Sequence, residues 1–305
     1  ASAPSYPQGV VDPVTEIAAI AAAKGVLCHV DACVGGWLLP WLREAGADIP
    51  PFDLSVPGVT SISCDLHKYG YAPKGASVVL FADPALRRKA YFASAAWPGY
   101  PIVNATAQSS RSAGPLAGAW ATLRALGRAG YLELAHRTLE ATRRLVKGVS
   151  EIPGLRVLGT PEASLVAIAG SPEVDVFVLA EEARRLGWYL QPQLSYAGIP
   201  ANVHVTVTGV TLSGVDAMLE AIASAAEAAR RRGPAPVPEG LPELVASLDL
   251  DAIGDAEFAE LAASVGIDLR SLGEGRSAAV DALLDALDPR TREAVLVRFL
   301  SALYS

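Results

Sequence analysis

The spacing of apolar and polar positions along the chain switches repeatedly between helical and strand periods. Asp12-Pro13 is placed to open a helix, with Asp as N-cap, Pro at the first helical position and Glu16 in the first turn. Ile17 to Ala23 carries that helix, and Lys24-Gly25 ends it with a cation and a glycine. Val26 to Val30 then reads as a short buried strand, Trp37 to Ala45 as a helix despite Pro40, and Val59 to Cys64 as a second buried strand. Ser77 to Phe81 is a third strand. The alternation predicts an α/β sheet with helices on its faces. Only Asp65 to Ala76 joins the second and third strands. A parallel crossover takes roughly a dozen residues or more, usually a helix. Gly70, Pro73 and Gly75 oppose one here, so the third strand should run antiparallel beside the second.

Pro115 to Ala129 and Leu132 to Val149 carry two long amphipathic patterns. Strands are expected at Arg156 to Leu158, Leu165 to Ile168, near Trp188 to Leu190 and at His204 to Val207. Helices are expected at Val174 to Leu186 and Gly214 to Arg231. The organisation expected is a first domain over 1–129, a small α+β domain over 130–232, and a linker with a helical extension over 233–305. Gly233 to Pro238 is a proline-rich, semi-rigid linker. Helical patterns beyond it lie near Asp255 to Val265, Ala278 to Ala286 and Thr291 to Leu303.

Composition narrows the partners. At 51% hydrophobic, the 305 residues are ample for a real core. A net charge of -7 argues against a nucleic-acid partner. The mean hydropathy of +0.31 reflects alanine, and no apolar run is long enough for a transmembrane segment. Ala1 to Val10 lacks the pattern of a signal peptide. Cys28, Cys33 and Cys64 sit among apolar residues and read as free thiols in a reducing, cytoplasmic setting. With the histidines they show no metal-ligand spacing, so no metal is expected.

Lysine occurs only at 24, 68, 74, 89 and 147, although genomic base composition alone can favour arginine. Unlike arginine, it can be deprotonated and form an imine. Position says more. Asp31 follows the strand ending at Val30, and Lys68 follows the strand ending at Cys64. If these strands are parallel, both residues sit on the rim where open α/β sheets bind ligands. An acid and a lysine there suit pyridoxal phosphate: the amine bonds to its aldehyde carbon and the carboxylate keeps its pyridine nitrogen protonated. On position alone, a rim salt bridge from Asp31 to a nearby cation stands level with this reading.

The motifs break that tie. His29 to Gly36 and Ser61 to Gly70 resemble the fold-type-I, group II decarboxylase family of pyridoxal-phosphate enzymes. Within it, the stretch Tyr69 to Ser77, Ser5-Tyr6-Pro7 with Gly9 to Pro13, and Ser110-Arg111 are similar to the sphingosine-1-phosphate lyase subgroup. The resemblance runs from Ala1 to about Arg231 and fades in the small domain. It implies a partial large domain with a mixed, mostly parallel sheet, and a homodimer. It makes Lys68 the Schiff-base lysine, Asp31 the partner of the pyridine nitrogen and His67 a neighbour of the cofactor phosphate. Lys74, with Tyr6 and Arg111 nearby, would meet the phosphate of a small amine substrate. Against these roles, Lys74 reads alternatively as a solvated loop lysine, Tyr6 as a core tyrosine and His67 as strand packing. Ser109 to Ser112 reads equally as a loop turn. His204 reads as structural, Glu181-Glu182 as a solvated face, and Cys64 as too buried to be a nucleophile.

The implied reaction is retro-aldol cleavage of a phosphorylated amino alcohol to an aldehyde and phosphoethanolamine. An L-amino-acid decarboxylase is the rival enzyme, and a non-catalytic fragment or assembly partner the rival outside enzymes. Lys74 favours the first, because a cation there suits a phosphate. The family's helix N-terminus for the cofactor phosphate and its ring-stacking residue lie upstream of what matches Ala1, so the chain reads as N-terminally truncated. An unpaired sheet edge and an apolar face are expected beside Val26 to Val30 or Val59 to Cys64.

Overall fold

The computed structural model describes residues 1–106, 108, 110–250, 252–264 and 277–304. The chain divides into two compact units. Unit 1 comprises Ala1–Arg144, Gly159–Val166 and Thr206–Ser213; unit 2 comprises Leu145–Leu158, Ala167–Val205 and Gly214–Ser305.

Unit 1 opens with helix α1, Val14–Ala23. Its N-cap is Pro13, not Asp12, and no side chain caps it. The Asp12 carboxylate instead accepts the Ser2 N–H at 2.7 Å, which takes it away from the helix. Gly25 closes the helix at φ +65°, a conformation glycine adopts without penalty. Strand β1 is His29–Asp31, shorter and later than expected. The Val26 N–H folds back onto the Ala21 carbonyl, and pairing begins only at His29, so Val26 and Leu27 stay exposed. Helix α2, Gly35–Glu44, tolerates Pro40 within it.

Strand β2, Ser61–Asp65, lies between β1 and β3, Ser77–Phe81. It runs parallel to β1, with Asp31 opposite Ser63, and antiparallel to β3, with Asp65 opposite Ser77. Side chains alternate between the two faces of a strand. Val30, Ile62 and Cys64 therefore point into the core with Leu38, Leu39 and Phe52. His29, Asp31, Ser61, Ser63, Asp65 and Ser77 share the opposite, polar face. The edge expected beside β1 or β2 falls on β3: among the described residues β2 is central, β3 ends the sheet beside it, and Ala1 to Ala3 pairs along β1 through the Ser2–Asp31 bridge. The exposed apolar strand is β3, whose Val78, Val79 and Leu80 are 41–52% exposed, in keeping with the apolar face expected there.

Four elements follow, all beginning in unit 1. Helix α3 (Pro84–Arg88) and the hairpin of β4 (Phe92–Ser94) and β5 (Ile102–Asn104) were not expected from the pattern. Helix α4 runs Gly114–Ser150, broken at Gly127 (φ 56°), which divides it much as the two amphipathic patterns predict.

A four-stranded sheet, all but Leu165, Val166 and Thr206 of it in unit 2, has the order β6 (Leu155–Val157), β7 (Leu165–Gly170), β9 (Asn202–Thr206), β8 (Gln191–Gln193). Strand β8 begins just past the expected Trp188 to Leu190, because its register is set by antiparallel pairing with β9. Helices α5 (Val176–Arg185) and α6 (Val215–Arg232) belong to the same unit. The tail forms α7 (Leu241–Ser247), α8 (Asp255–Ser264), α9 (Ala278–Ala286) and α10 (Pro289–Tyr304) around Leu250, Phe258, Leu284 and Val295. The last residue of the expected Asp255 to Val265 helix lies outside the described residues, as does Ser109. Glu181 and Glu182 are not a solvated face: their side chains are 17% and 16% exposed and bind Arg185 and Arg232. His204 is buried in β9, as a structural histidine should be. Among the described residues, no helix is long and apolar enough to cross a membrane.

Candidate active site

The parallel register brings Asp31 and Lys68 to the same sheet rim. Asp31 ends β1, and its Oδ1 accepts the Cys33 N–H at 3.0 Å and the Ser63 hydroxyl at 3.2 Å. Burial works to raise this carboxyl, but those bonds and the Lys68 charge hold it below its ordinary value, so it is ionised near neutrality.

Lys68 lies in the β2–β3 connection, half-buried. Its Nζ is 3.1 Å from Asp65 Oδ2 and 3.0 Å from Cys33 Sγ. Burial pulls the amine down, yet Cys33 and Asp65 together lift it above the usual lysine value. The resting side chain is an ammonium. Asp65 is held below its ordinary value despite burial, by the Ser77 hydroxyl, by Lys68 and by the His67 ring.

The connection itself is rigidly pinned. The His67 N–H donates to the Ala76 carbonyl and the Ala72 N–H to that of Leu66. The Tyr69 hydroxyl donates to the Val207 carbonyl at 2.7 Å, and the Tyr131 hydroxyl to that of Gly70 at 2.8 Å. Gly70 is required, since a Cβ there would lie 2.4 Å from the Leu66 oxygen. Tyr71 adopts φ 55°, a left-handed conformation costing a non-glycine residue about 1 kcal/mol.

Tyr6, Val34, Lys68 and Tyr71 line one cleft of 280 Å³, closed by Leu165 and by Thr206 and Thr208. Tyr6 is 45% exposed there, which answers the alternative of a core tyrosine. His67 and Lys74 also come together: Lys74 Nζ is 3.3 Å from His67 Nε2, and His67 Nδ1 is 2.9 Å from the Ala76 oxygen. Arg111 is placed elsewhere. It lines a second cleft of unit 1 with Leu66 and Ser77 and donates to Thr106. Cys64 is a buried thiol pushed up to about 11 by burial. Sequence reasoning missed Asp65 and Cys33 as neighbours of Lys68. The three-residue step from Asp65 to Lys68 was a readable signal; the Cys33 contact depends on the turn after β1.

A family model described as the pyridoxal-dependent decarboxylase conserved domain matches residues 5–169. Another, described as the C-terminal putative HTH domain of a pyridoxal-dependent enzyme, matches residues 239–302. The chain is 40% identical to the sphingosine-1-phosphate lyase of Arabidopsis thaliana over 240 residues, which cover 79% of this chain and 43% of that protein. It is 41% identical to the Dictyostelium discoideum sphingosine-1-phosphate lyase over 207 residues, covering 68% of this chain and 38% of that protein. Among solved structures, the sphingosine-1-phosphate lyase of Burkholderia pseudomallei matches with TM-score 0.70 and 39% identity, over 75% of this chain and 52% of that one. Glutamate decarboxylase of Lactobacillus brevis, 19% identical, matches with TM-score 0.63 over 74% of this chain and 53% of that one, a likeness of fold alone. The chain therefore spans about half or less of the relatives it matches.

Proposed function

Because the chain belongs to the pyridoxal-dependent decarboxylase family and has its fold-type-I α/β architecture, we propose that it carries the cofactor lysine of a carbon–carbon lyase acting on a phosphorylated amino alcohol of the sphingosine 1-phosphate kind. The donor set suits pyridoxal phosphate. An ionised carboxylate, Asp31, ends one parallel strand, and a primary amine, Lys68, follows the next. When bound, the cofactor supplies an electron sink for the pair released as a bond to the amine-bearing carbon breaks.

The chain's own residues would work as follows. Lys68 would be the residue that holds the cofactor, through its side-chain nitrogen once the ammonium proton is given up. Asp31 holds a proton on the pyridine nitrogen, its charge kept in place by Cys33 and Ser63. His67 would be the residue near the cofactor phosphate. Lys74, drawn beside His67, offers its charge to the substrate phosphate. Tyr6 and Tyr71 wall the cleft at Lys68 and narrow its access to water.

The observation that carries the substrate class is Lys74 standing 3.3 Å from His67, six residues beyond Lys68. The L-amino-acid decarboxylase reading has support from a probable L-tyrosine/L-aspartate decarboxylase of Methanothermobacter thermautotrophicus, 35% identical over 184 residues. Lys74→Ala separates the two. A charge-assisted contact contributes about 1.5–3 kcal/mol, so a phosphorylated amino alcohol should bind roughly ten- to a hundredfold more weakly. A plain amino acid should be little affected. Equal losses for both ligands, measured by titration on a chain extended to the relatives' full length, would favour the decarboxylase. No loss for either would leave the fragment or assembly-partner reading.

A cytoplasmic location is part of the same reading, supported by the three free thiols. So is a homodimer, supported by the exposed Val79, Leu80, Phe92 and Tyr100 of unit 1. A nucleic-acid partner is not part of it. In α10, Arg292 is bound to the carbonyls of Leu284 and Leu287, and Arg298 to Asp255.

A further inference from the structure

Lys68 does not hang free in its cleft. Two groups hold its nitrogen: the Asp65 carboxylate at 3.1 Å and the Cys33 sulfur at 3.0 Å. Asp65 is itself fixed from its other oxygen by the Ser77 hydroxyl, directly across the β2–β3 register. Its Oδ2 also lies 3.5 Å from His67 Nε2. The remaining charged or titratable groups around the lysine are Asp31 at the end of β1 and Tyr6, Tyr69 and Tyr71 along the cleft. Lys74 reaches the cluster through His67. Asp65 is thus the one carboxylate among the described residues in direct contact with the Lys68 nitrogen, and it sits on a rigid strand end.

We infer that Asp65 is the positioning residue for Lys68: its carboxylate holds the side-chain nitrogen at the cleft whenever that nitrogen is not bonded to cofactor. This rests on the reading of Lys68 as the cofactor lysine. A flexible four-carbon side chain loses much rotamer freedom when fixed. A carboxylate anchored at both oxygens removes that cost before the reaction begins, and it catches the ammonium again when the lysine is displaced. The same contact opposes deprotonation, so Asp65 sets the pH range over which Lys68 can react.

Competitive acetylation of the full chain without cofactor, followed by peptide mass analysis across a pH series, reads the free-amine fraction at Lys68. Asp65→Asn should move the half-reaction pH down by about one unit, or about tenfold more free amine at a given pH. Asp65→Glu should restore most of the difference. Ser77→Ala, which only loosens the carboxylate, should fall between them. A residue with a merely structural role would lower stability and leave the curve where it was. Coincident curves for the wild type and the Asn variant overturn the inference; if the Asn variant does not fold, an unmoved Ser77→Ala curve does so. The parent reading fails separately, on a borohydride-trapped pyridoxal adduct found at a lysine other than 68.

Discussion

Two clusters of opposite charge illustrate how similar ingredients serve different ends. In unit 1, Asp65 binds Lys68 and, at longer range, His67. In unit 2, Glu181 and Glu182 of α5 bind Arg185 on the same helix and Arg232 at the end of α6. Glu181 also accepts the Ala278 N–H at the start of α9. The decisive difference is the cation. Arginine stays charged and offers a planar fork, which suits a permanent staple between helices. Lysine can give up its proton, and at a cleft that is the chemistry a reagent would need. The lesson is that a carboxylate–cation cluster is read as chemistry or as architecture from its cation and its access, before its geometry.

The sharpest way to break this comparison is to give the first cluster the second one's cation. Lys68→Arg keeps the charge and can keep the Asp65 pair, so folding should be little changed. The borohydride-trapped pyridoxal adduct should vanish entirely, as seen by peptide mass. An adduct persisting at Lys74 would show that the chemistry had been assigned to the wrong lysine.

A smaller effect is expected from Glu181→Gln. It weakens the hold on Arg232, Arg185 and the Ala278 amide, and should cost about 1–2 kcal/mol in urea unfolding of unit 2. Burial would raise the Glu181 carboxyl, but Arg232 and the other contacts hold it below its ordinary value. Its contribution is therefore complete above the ordinary glutamate value and is lost as pH falls through the lowered one. The variant and the parent should converge in acid. A difference that persists undiminished there would show that the loss is one of packing.

The smallest effect belongs to Arg185→Ala. This side chain is 60% exposed, and its pairs with Glu181 and Glu182 stay within one helix. A change within about 0.5 kcal/mol is expected from the same urea series. A larger one would make Arg185, and not Arg232, the staple.

How much of this was legible beforehand varies with the kind of signal. The antiparallel β3 followed from the shortness of the connection after β2, and the shared rim of Asp31 and Lys68 from strand direction. The bounds of β1 and β8 were misplaced because apolar runs, Val26-Leu27 and Trp188 to Leu190, mark where a strand could form. Hydrogen-bond partners decide where it does. The β4–β5 hairpin went unseen because Phe92 and Val103 are exposed, so no buried face patterned the sequence. At the site, Lys68, Asp31, His67 and Lys74 could be named from motifs. Arg111 was grouped with them by the same resemblance but lines a different cleft. Asp65 escaped notice because an acid at a strand end is ordinary until its partner across the turn is known.

The pinned connection between β2 and β3 has a consequence for engineering. Its two ends, Asp65 and Ser77, are register partners and hence neighbours in space. His67, Lys68 and Lys74 all lie between them. The segment is therefore a cassette: it can be exchanged for a relative's loop of the same length with its anchor points unmoved. Substrate preference could be transplanted through this single stretch of gene, provided the incoming loop keeps a tyrosine at position 69 and a glycine at 70, where Tyr131 of α4 ties it down.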